Sequence, residues 1–246
     1  MKICIINPNT TAAFTERLLQ SARAIAAAGT EVIAAQPRTG AASIESHAEE
    51  VLGALGVMQV VAEGEKQGVD AYVIACFGDT GLHQARELAR GPIVGMTEAS
   101  LQAASLITHR FSIVTLPPRT RAHSLRVLQE TGLTHRCTVR AVEVPVLDLA
   151  DEVAASAPII EAEARRAIAQ DHAEAIILGC AGLSDLVAPL SRSLAVPVID
   201  GVMVGLKFAE GLVAAGLSTS KHATYAAPPA GFRLPEFAEP APERFA

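Results

Sequence analysis

Residues 72–82 read YVIACFGDTGL. An apolar run ends in a single cysteine, and a glycine-bearing turn follows. Residues 175–186, AIILGCAGLSDL, do nearly the same. A short, continuous apolar run bounded by turn residues reads as a strand buried on both faces, the kind a parallel sheet uses. Each cysteine therefore stands at the carboxyl end of a strand and ahead of a helix. In parallel α/β sheets, ligands sit outside those strand ends.

Outward from these two stretches, strand and helix patterns alternate. The first series runs KICIINP as a strand, TAAFTERLLQSARAIAAAG as a helix closed by Gly29, and TEVIAAQP as a strand. It continues with SHAEEVLGALGVMQVVAEGEKQG as a helix ending near Gly68, DAYVIACF as a strand, GLHQARELARG as a helix and PIVGM as a short strand. After Thr97 the series restarts: EASLQAASLITH, RFSIVTL, RAHSLRVLQETG, TVRAVEVPV, APIIEAEARRAIAQD, AEAIILGC, LSDLVAPLSRSL and VPVID, with VMVGLKFAEGLVAAG as a last helix. This is the rhythm of parallel sheets with helices on both faces. Cys76 follows Asn9 by 67 residues and Cys180 follows Thr115 by 65, so the two halves match in length as well as order. The expected fold is α/β: two pseudo-symmetric, flavodoxin-like parallel-sheet lobes with the active site in the cleft between them. Residues 1–97 with 203–225 form the first lobe and its returning helix, 98–202 the second, and 226–246 a Pro-rich tail. The tail lacks periodicity and reads as extended or disordered, unless Phe232, Phe237 and Phe245 dock on a neighbouring subunit.

With 246 residues, half of them hydrophobic, the chain can bury a large core. A net charge of −6 and an isoelectric point near 5.7, with no basic block, set nucleic acid aside as a partner. No apolar run approaches the roughly 20 residues of a membrane span. The opening MKICIINPNT turns polar too early for a signal peptide, so the expectation is a cytoplasmic protein. Of the four cysteines, Cys4 reads as a core residue and Cys137 as a strand thiol without a role.

A single strand-end thiol is most often a small buried hydrophobe. Two at matching places in matching halves point elsewhere. A helix N-terminus lowers a thiol's pKa, which makes Cys76 and Cys180 candidate bases. If the halves face each other, a substrate between them meets a base on one face and an acid on the other, and a carbon centre inverts. A pyridoxal mechanism needs a Schiff-base lysine, and none of Lys2, Lys66, Lys207 and Lys221 stands at a strand's carboxyl end. No metal is expected, because the seven histidines are scattered without ligand pairing.

Other polar residues share these strand ends. Asn9, Thr10 and Thr11 follow the first strand and can bond a ring amide or an oxyanion; alternatively Pro8 sets a turn and a threonine caps the helix. Ser43 follows the second strand. Thr115 and Thr120 occupy the equivalent place in the second half. Asp79 orients a ligand or caps a helix. His47 reads as the start of a helix rather than an acid/base group. Asp200 approaches the cleft or caps the last helix.

The motifs INPNT, SIESH, ACFGDTGL, GCAGL and PVIDGV resemble those of the hydantoin racemase family, within the aspartate/glutamate racemase superfamily. The resemblance spans about residues 1–225, and the paired cysteine motifs are its specific part. It implies a cofactor-independent racemase with Cys76 and Cys180 as the acid/base pair, and a homo-oligomer, tetramer or hexamer. The family's first motif reads ACFGDPGL, with proline where this chain has Thr80; threonine can still cap the helix. Members acting on free aspartate or glutamate carry hydroxyl residues after the two cysteines, where this chain has Phe77 and Ala181. The resemblance thus implies a neutral ring with amide edges, such as a 5-substituted hydantoin. The backbone of Phe77, Gly78, Ala181 and Gly182 can bond those edges. The alternatives are a racemase or isomerase of another carbon acid (aspartate, glutamate or a maleate-type diacid), and a non-catalytic small-molecule-binding relative.

Overall fold

The computed structural model describes residues 1–235. Strands β1 (Lys2–Ile6), β2 (Glu31–Ala35), β3 (Ala71–Ile74) and β4 (Ile93–Gly95) form a parallel sheet in the order β2-β1-β3-β4. Strands β5 (Phe111–Thr115), β6 (Cys137–Ala141), β7 (Ala175–Gly179) and β8 (Val198–Ile199) repeat it as β6-β5-β7-β8. The expected α/β architecture of two like sheets is present. The interleaved helices are α1 (Ala12–Ile25), α2 (His47–Lys66), α3 (Leu82–Leu88), α4 (Met96–Ile107), α5 (Arg121–Glu130), α6 (Asp148–Asp171), α7 (Val187–Leu194) and α8 (Gly201–Ala214).

Every residue of β3, β5 and β7 is buried, as strands covered on both faces require. In β1, Ile3 and Ile5 face a core shared with α1, α4 and α8, while Cys4 and Ile6 face one shared with α2 and α3. The first of these cores is continuous from Val73 in one sheet to Ile113 and Ile177 in the other. Helix α4 joins them, packing on α8 and also on α5 and β7. The division expected at 97/98 falls in the first turn of this helix. Helix α8 lies on β1, β3 and β4, with Val202, Leu206 and Ala209 fully buried. Asp200 caps it, accepting hydrogen bonds from the amides of Val202 (2.8 Å) and Met203 (3.2 Å).

Local chemistry fixes several helix ends. The Ser46 hydroxyl accepts from the Glu49 amide at 3.3 Å and starts α2 at His47, as its sequence suggested. Helix α1 stops at Ile25 rather than at Gly29; the Ala26 amide closes onto Ala22 and the chain then leaves the helix, with Gly29 (φ 86°) forming the following turn. The segment leading into the expected tail is held down: the Tyr225 hydroxyl lies 2.9 Å from His83 Nδ1, and Lys221 Nζ donates to the carbonyls of Arg86 and Glu87. Phe232 is 45% exposed; Phe237 and Phe245 lie outside the described residues. Among the described residues, no helix is long and apolar enough to cross a membrane.

Candidate active site

In each sheet the two central strands send their connections to opposite sides. From β1 the chain moves to β2; from β3 it moves to β4. Loops leaving the two strands diverge there and open a crevice. β5 and β7 create the same crevice in the second sheet. The four loops meet in one pocket. Asn7, Pro8, Asn9, Cys76 and Phe77 line it from the first sheet; Leu116, Thr120, Gly179, Cys180, Ala181 and Gly182 line it from the second. Phe14, Arg17, Leu18 and Ser21 form a wall from α1. Topology accounts for the duplicated thiol: the first residues past β3 and β7, the strands beside the crossing point of each sheet, look into the shared cleft.

The Asn-Pro-Asn-Thr turn is rigid. Asn7 Nδ2 donates to Asn9 Oδ1 (2.9 Å) and to Thr15 Oγ1 (3.0 Å), and the Thr11 amide donates to Asn9 Oδ1 (2.9 Å). The Asn9 carbonyl oxygen is thereby engaged, and its amide nitrogen makes no hydrogen bond among the described residues. Cys76 Sγ lies 3.4 Å from the hydroxyl of Thr80, a residue 1% exposed. Cys180 precedes a 3₁₀ turn, Ala181–Leu186.

The thiols are not acidified as expected from sequence. Burial pushes Cys76 up to about 12, against the lowering effect of the Thr80 hydroxyl. Burial pushes Cys180 up to about 11, against the Gly182 amide. The reason is placement. α3 begins only at Leu82, so its free amides do not reach Cys76. At Cys180 a single amide is aimed at the sulfur, which does not offset the loss of water around a thiolate.

Seven sequence-predicted residues line the pocket: Asn9, Cys76, Phe77, Thr120, Cys180, Ala181 and Gly182. Five do not. Thr10 bonds its hydroxyl to the Ala41 carbonyl (3.3 Å). Ser43 donates to Glu45 (2.8 Å), and its neighbour Ile44 takes the wall position. Thr115 donates to the Gly179 carbonyl (3.0 Å), tying β5 to β7 beneath the pocket. Gly78 donates its amide to Thr97 (2.7 Å). Asp79 is turned away from the cleft. Its carboxylate accepts from the amides of Thr97 (2.8 Å) and Glu98 (2.9 Å), capping α4 rather than the helix that follows it in sequence. Burial pushes this carboxyl up to about 7, and the charge of Glu98 adds to the effect. Sequence reading passed over Asn7, Arg17 and the rest of the α1 wall. A signal was available: Phe14, Arg17, Leu18 and Ser21 recur at helical spacing on one face, directly after the turn that enters the cleft.

Two parallel-sheet halves, each giving one cysteine to a shared pocket, define a class of α/β protein made by pseudo-symmetric doubling. The chain belongs to the Asp/Glu/hydantoin racemase family, whose model matches residues 3–209. It is 45% identical to a hydantoin racemase of Rhizobium meliloti, over 93% of this chain and 95% of that protein. It is 44% identical to a hydantoin racemase of Pseudomonas sp. (strain NS671), over 93% and 92%. The solved structure of an allantoin racemase from Klebsiella pneumoniae superposes with a TM-score of 0.90 at 45% identity, covering 93% of this chain and 94% of that one.

Proposed function

We propose that this chain racemises 5-monosubstituted hydantoins, allantoin among them, without a cofactor, by a two-thiol mechanism. The observation that carries the reading is the meeting of Cys76 and Cys180 from opposite halves in one pocket. One cysteine, as thiolate, takes the C5 proton. The electron pair of the broken C–H bond passes into the adjacent ring carbonyl as an enolate. The other cysteine, as thiol, delivers its proton to the opposite face of C5, the carbonyl re-forms, and the two sulfurs have exchanged protonation states. The free amide nitrogen of Asn9 donates to a ring carbonyl. Phe77 and Ala181 give no hydroxyl for an α-carboxylate, which favours a neutral ring over free aspartate or glutamate.

The protein works as a homo-oligomer, a tetramer or hexamer, in the cytoplasm. Exposed Leu106 and Ile107 at the end of α4 and Val51 on α2, at 77%, 60% and 68% exposure, support burial against other subunits, and four free thiols suit a reducing compartment.

Replacing either cysteine by serine keeps the shape but removes a usable base. Net inversion is expected to fall by at least about 10²–10⁴-fold, the usual contribution of a general acid–base group. In heavy water, Cys76→Ser and Cys180→Ser should each still exchange the C5 proton of one enantiomer, and not the same one. Exchange of the same enantiomer by both variants, or full inversion by either, refutes the mechanism.

A further inference from the structure

A second cluster of chemically capable side chains stands outside the pocket. His47 opens α2, Glu50 lies one turn further on the same helix, and His123 comes from α5, 76 residues beyond His47 in sequence. His47 Nδ1 is 3.5 Å and His123 Nε2 is 3.7 Å from the same atom, Glu50 Oε2. All three ligand atoms fall within 4.8 Å of one another. We propose that His47, Glu50 and His123 form a binding site for a borderline divalent cation of the zinc type, bridging α2 and α5. The site is separate from the two thiols and does not depend on the racemase reading.

Two observations favour a cation over a hydrogen-bonded cluster. The first is spacing. Both distances exceed the usual 2.7–3.2 Å of an N–H···O bond. They are near the separation of about 3.4 Å that bonds of about 2.0–2.2 Å set between neighbouring ligands of a tetrahedral zinc; the two histidine nitrogens, within 4.8 Å of each other, must draw closer, which a turn of the exposed His47 ring supplies. The second is His123 itself. It is 2% exposed, and its ring makes no hydrogen bond within 3.5 Å among the described residues. Its Nε2 is therefore free to ligate, and solvent reaches the ring nitrogens, since among the described residues only the Ser124 hydroxyl is an enclosed side-chain polar atom without a partner. Room for it is made by Gly78, where a Cβ would fall 2.8 Å from His123 Cβ.

The rest of the cluster fits this assignment. Two imidazoles and one carboxylate are a zinc-type donor set. The His47 side chain is 75% exposed, which leaves an approach and a fourth position for water. Arg126 Nη2 holds the other oxygen of Glu50 at 2.5 Å and the Gly78 carbonyl at 2.7 Å. That contact turns Oε2 toward the imidazoles, and its positive charge tempers the affinity. Arg119 is a second cation near His123.

The test uses the full chain carrying Cys76→Ser and Cys180→Ser, so that the pocket thiols cannot compete for metal. Titration with Co²⁺ should give one saturable equivalent with visible d–d absorption and no sulfur-to-cobalt charge-transfer band, displaced by Zn²⁺. His47→Ala, an exposed change that spares the fold, should weaken binding at least about tenfold, and His123→Asn should do the same. Absence of saturable binding, a sulfur charge-transfer band, or undiminished affinity in His47→Ala overturns the site.

Discussion

At the scale of single residues, the contact between Thr80 and Cys76 bears most directly on chemistry. Thr80 Oγ1 lies 3.4 Å from Cys76 Sγ, and its methyl group packs at Gly53 of α2, where an added Cβ would approach it to 3.1 Å. A hydroxyl held there donates to the thiolate better than to the thiol, and so opposes the burial that pushes Cys76 up to about 12. Both thiols are protonated at neutral pH, and the thiolate fraction grows about tenfold per pH unit below the pKa. Activity should therefore rise with pH above 7, limited by formation of the first thiolate. Thr80→Val removes the donor and keeps the shape. In a Cys180→Ser background, the pH profile of Cys76 alkylation by iodoacetamide should move up by about one unit, the size of one hydrogen bond to a charged group. Thr80→Ser should restore it; an unmoved profile in Thr80→Val would remove Thr80 from the mechanism. The position was noticed in sequence only as a departure from the family motif and a helix cap. Its neighbour Asp79 was legible as a cap, but not of α4, because the capped amides lie 18 and 19 residues further along the chain.

At the scale of elements, the strand and helix order was readable because both halves obey one rhythm, while the ends were less so. The stretch TVRAVEVPV reads as one long strand, yet β6 pairs with β5 only as far as Ala141. Val142 still donates to Thr115, but Val144 turns back onto the Val142 carbonyl and Pro145 has no amide to give. The outer side of β6 is an edge, and Arg140 fastens it to α6. Its guanidinium bonds Asp171 at 2.5 and 2.7 Å and Glu163 at 2.9 Å, with all three side chains under a fifth exposed. The hydrogen bonds from Arg140 hold Asp171 below the ordinary aspartate range; in Glu163 the same partner, with Arg166, outweighs burial and lowers it too. A carboxyl lowered on folding contributes stability above its unfolded pKa and loses it as pH falls through the folded value. Arg140→Ala should thus cost about 1–3 kcal/mol at pH 7. The gap between variant and parent in urea unfolding should narrow below about pH 4, where the acids protonate. A gap that is constant from pH 7 to pH 3 would mean that packing of the arginine stem, not charge, carries the effect.

At the scale of the whole molecule, the cleft depends on contacts that no local pattern announces. The strand ends that line the pocket could be picked out in the sequence; which helix from one half reaches over the other could not. Helix α1 does so. It packs on β2 and α8 of the first sheet, while Phe14 joins the core built on β7 and α6 of the second. Arg17, one turn after Phe14, spans 132 residues of chain to donate to the Leu149 carbonyl at 2.7 Å, with its guanidinium 5.1 Å from the centre of the Phe14 ring. The same side chain lines the pocket. It therefore ties the two halves together beside the pocket as well as forming part of its wall. The two-base inversion proposed above tolerates little variation in the width of the cleft, since it needs the two sulfurs to reach opposite faces of one carbon. Arg17→Met keeps the apolar stem over Phe14 and deletes the donor. Loss of one charged hydrogen bond on a partly buried carbonyl predicts a cost of about 1.5–3 kcal/mol, divided between stability and the geometry of the pocket. The expected signature is a KM for a 5-substituted hydantoin raised about tenfold or more and a lower kcat for inversion. Proton exchange into one enantiomer in heavy water should fall less than inversion does, because exchange needs one sulfur in place and inversion needs both. Equal losses of exchange and inversion would show that Arg17 acts on substrate binding alone and has no part in holding the two halves at a working distance.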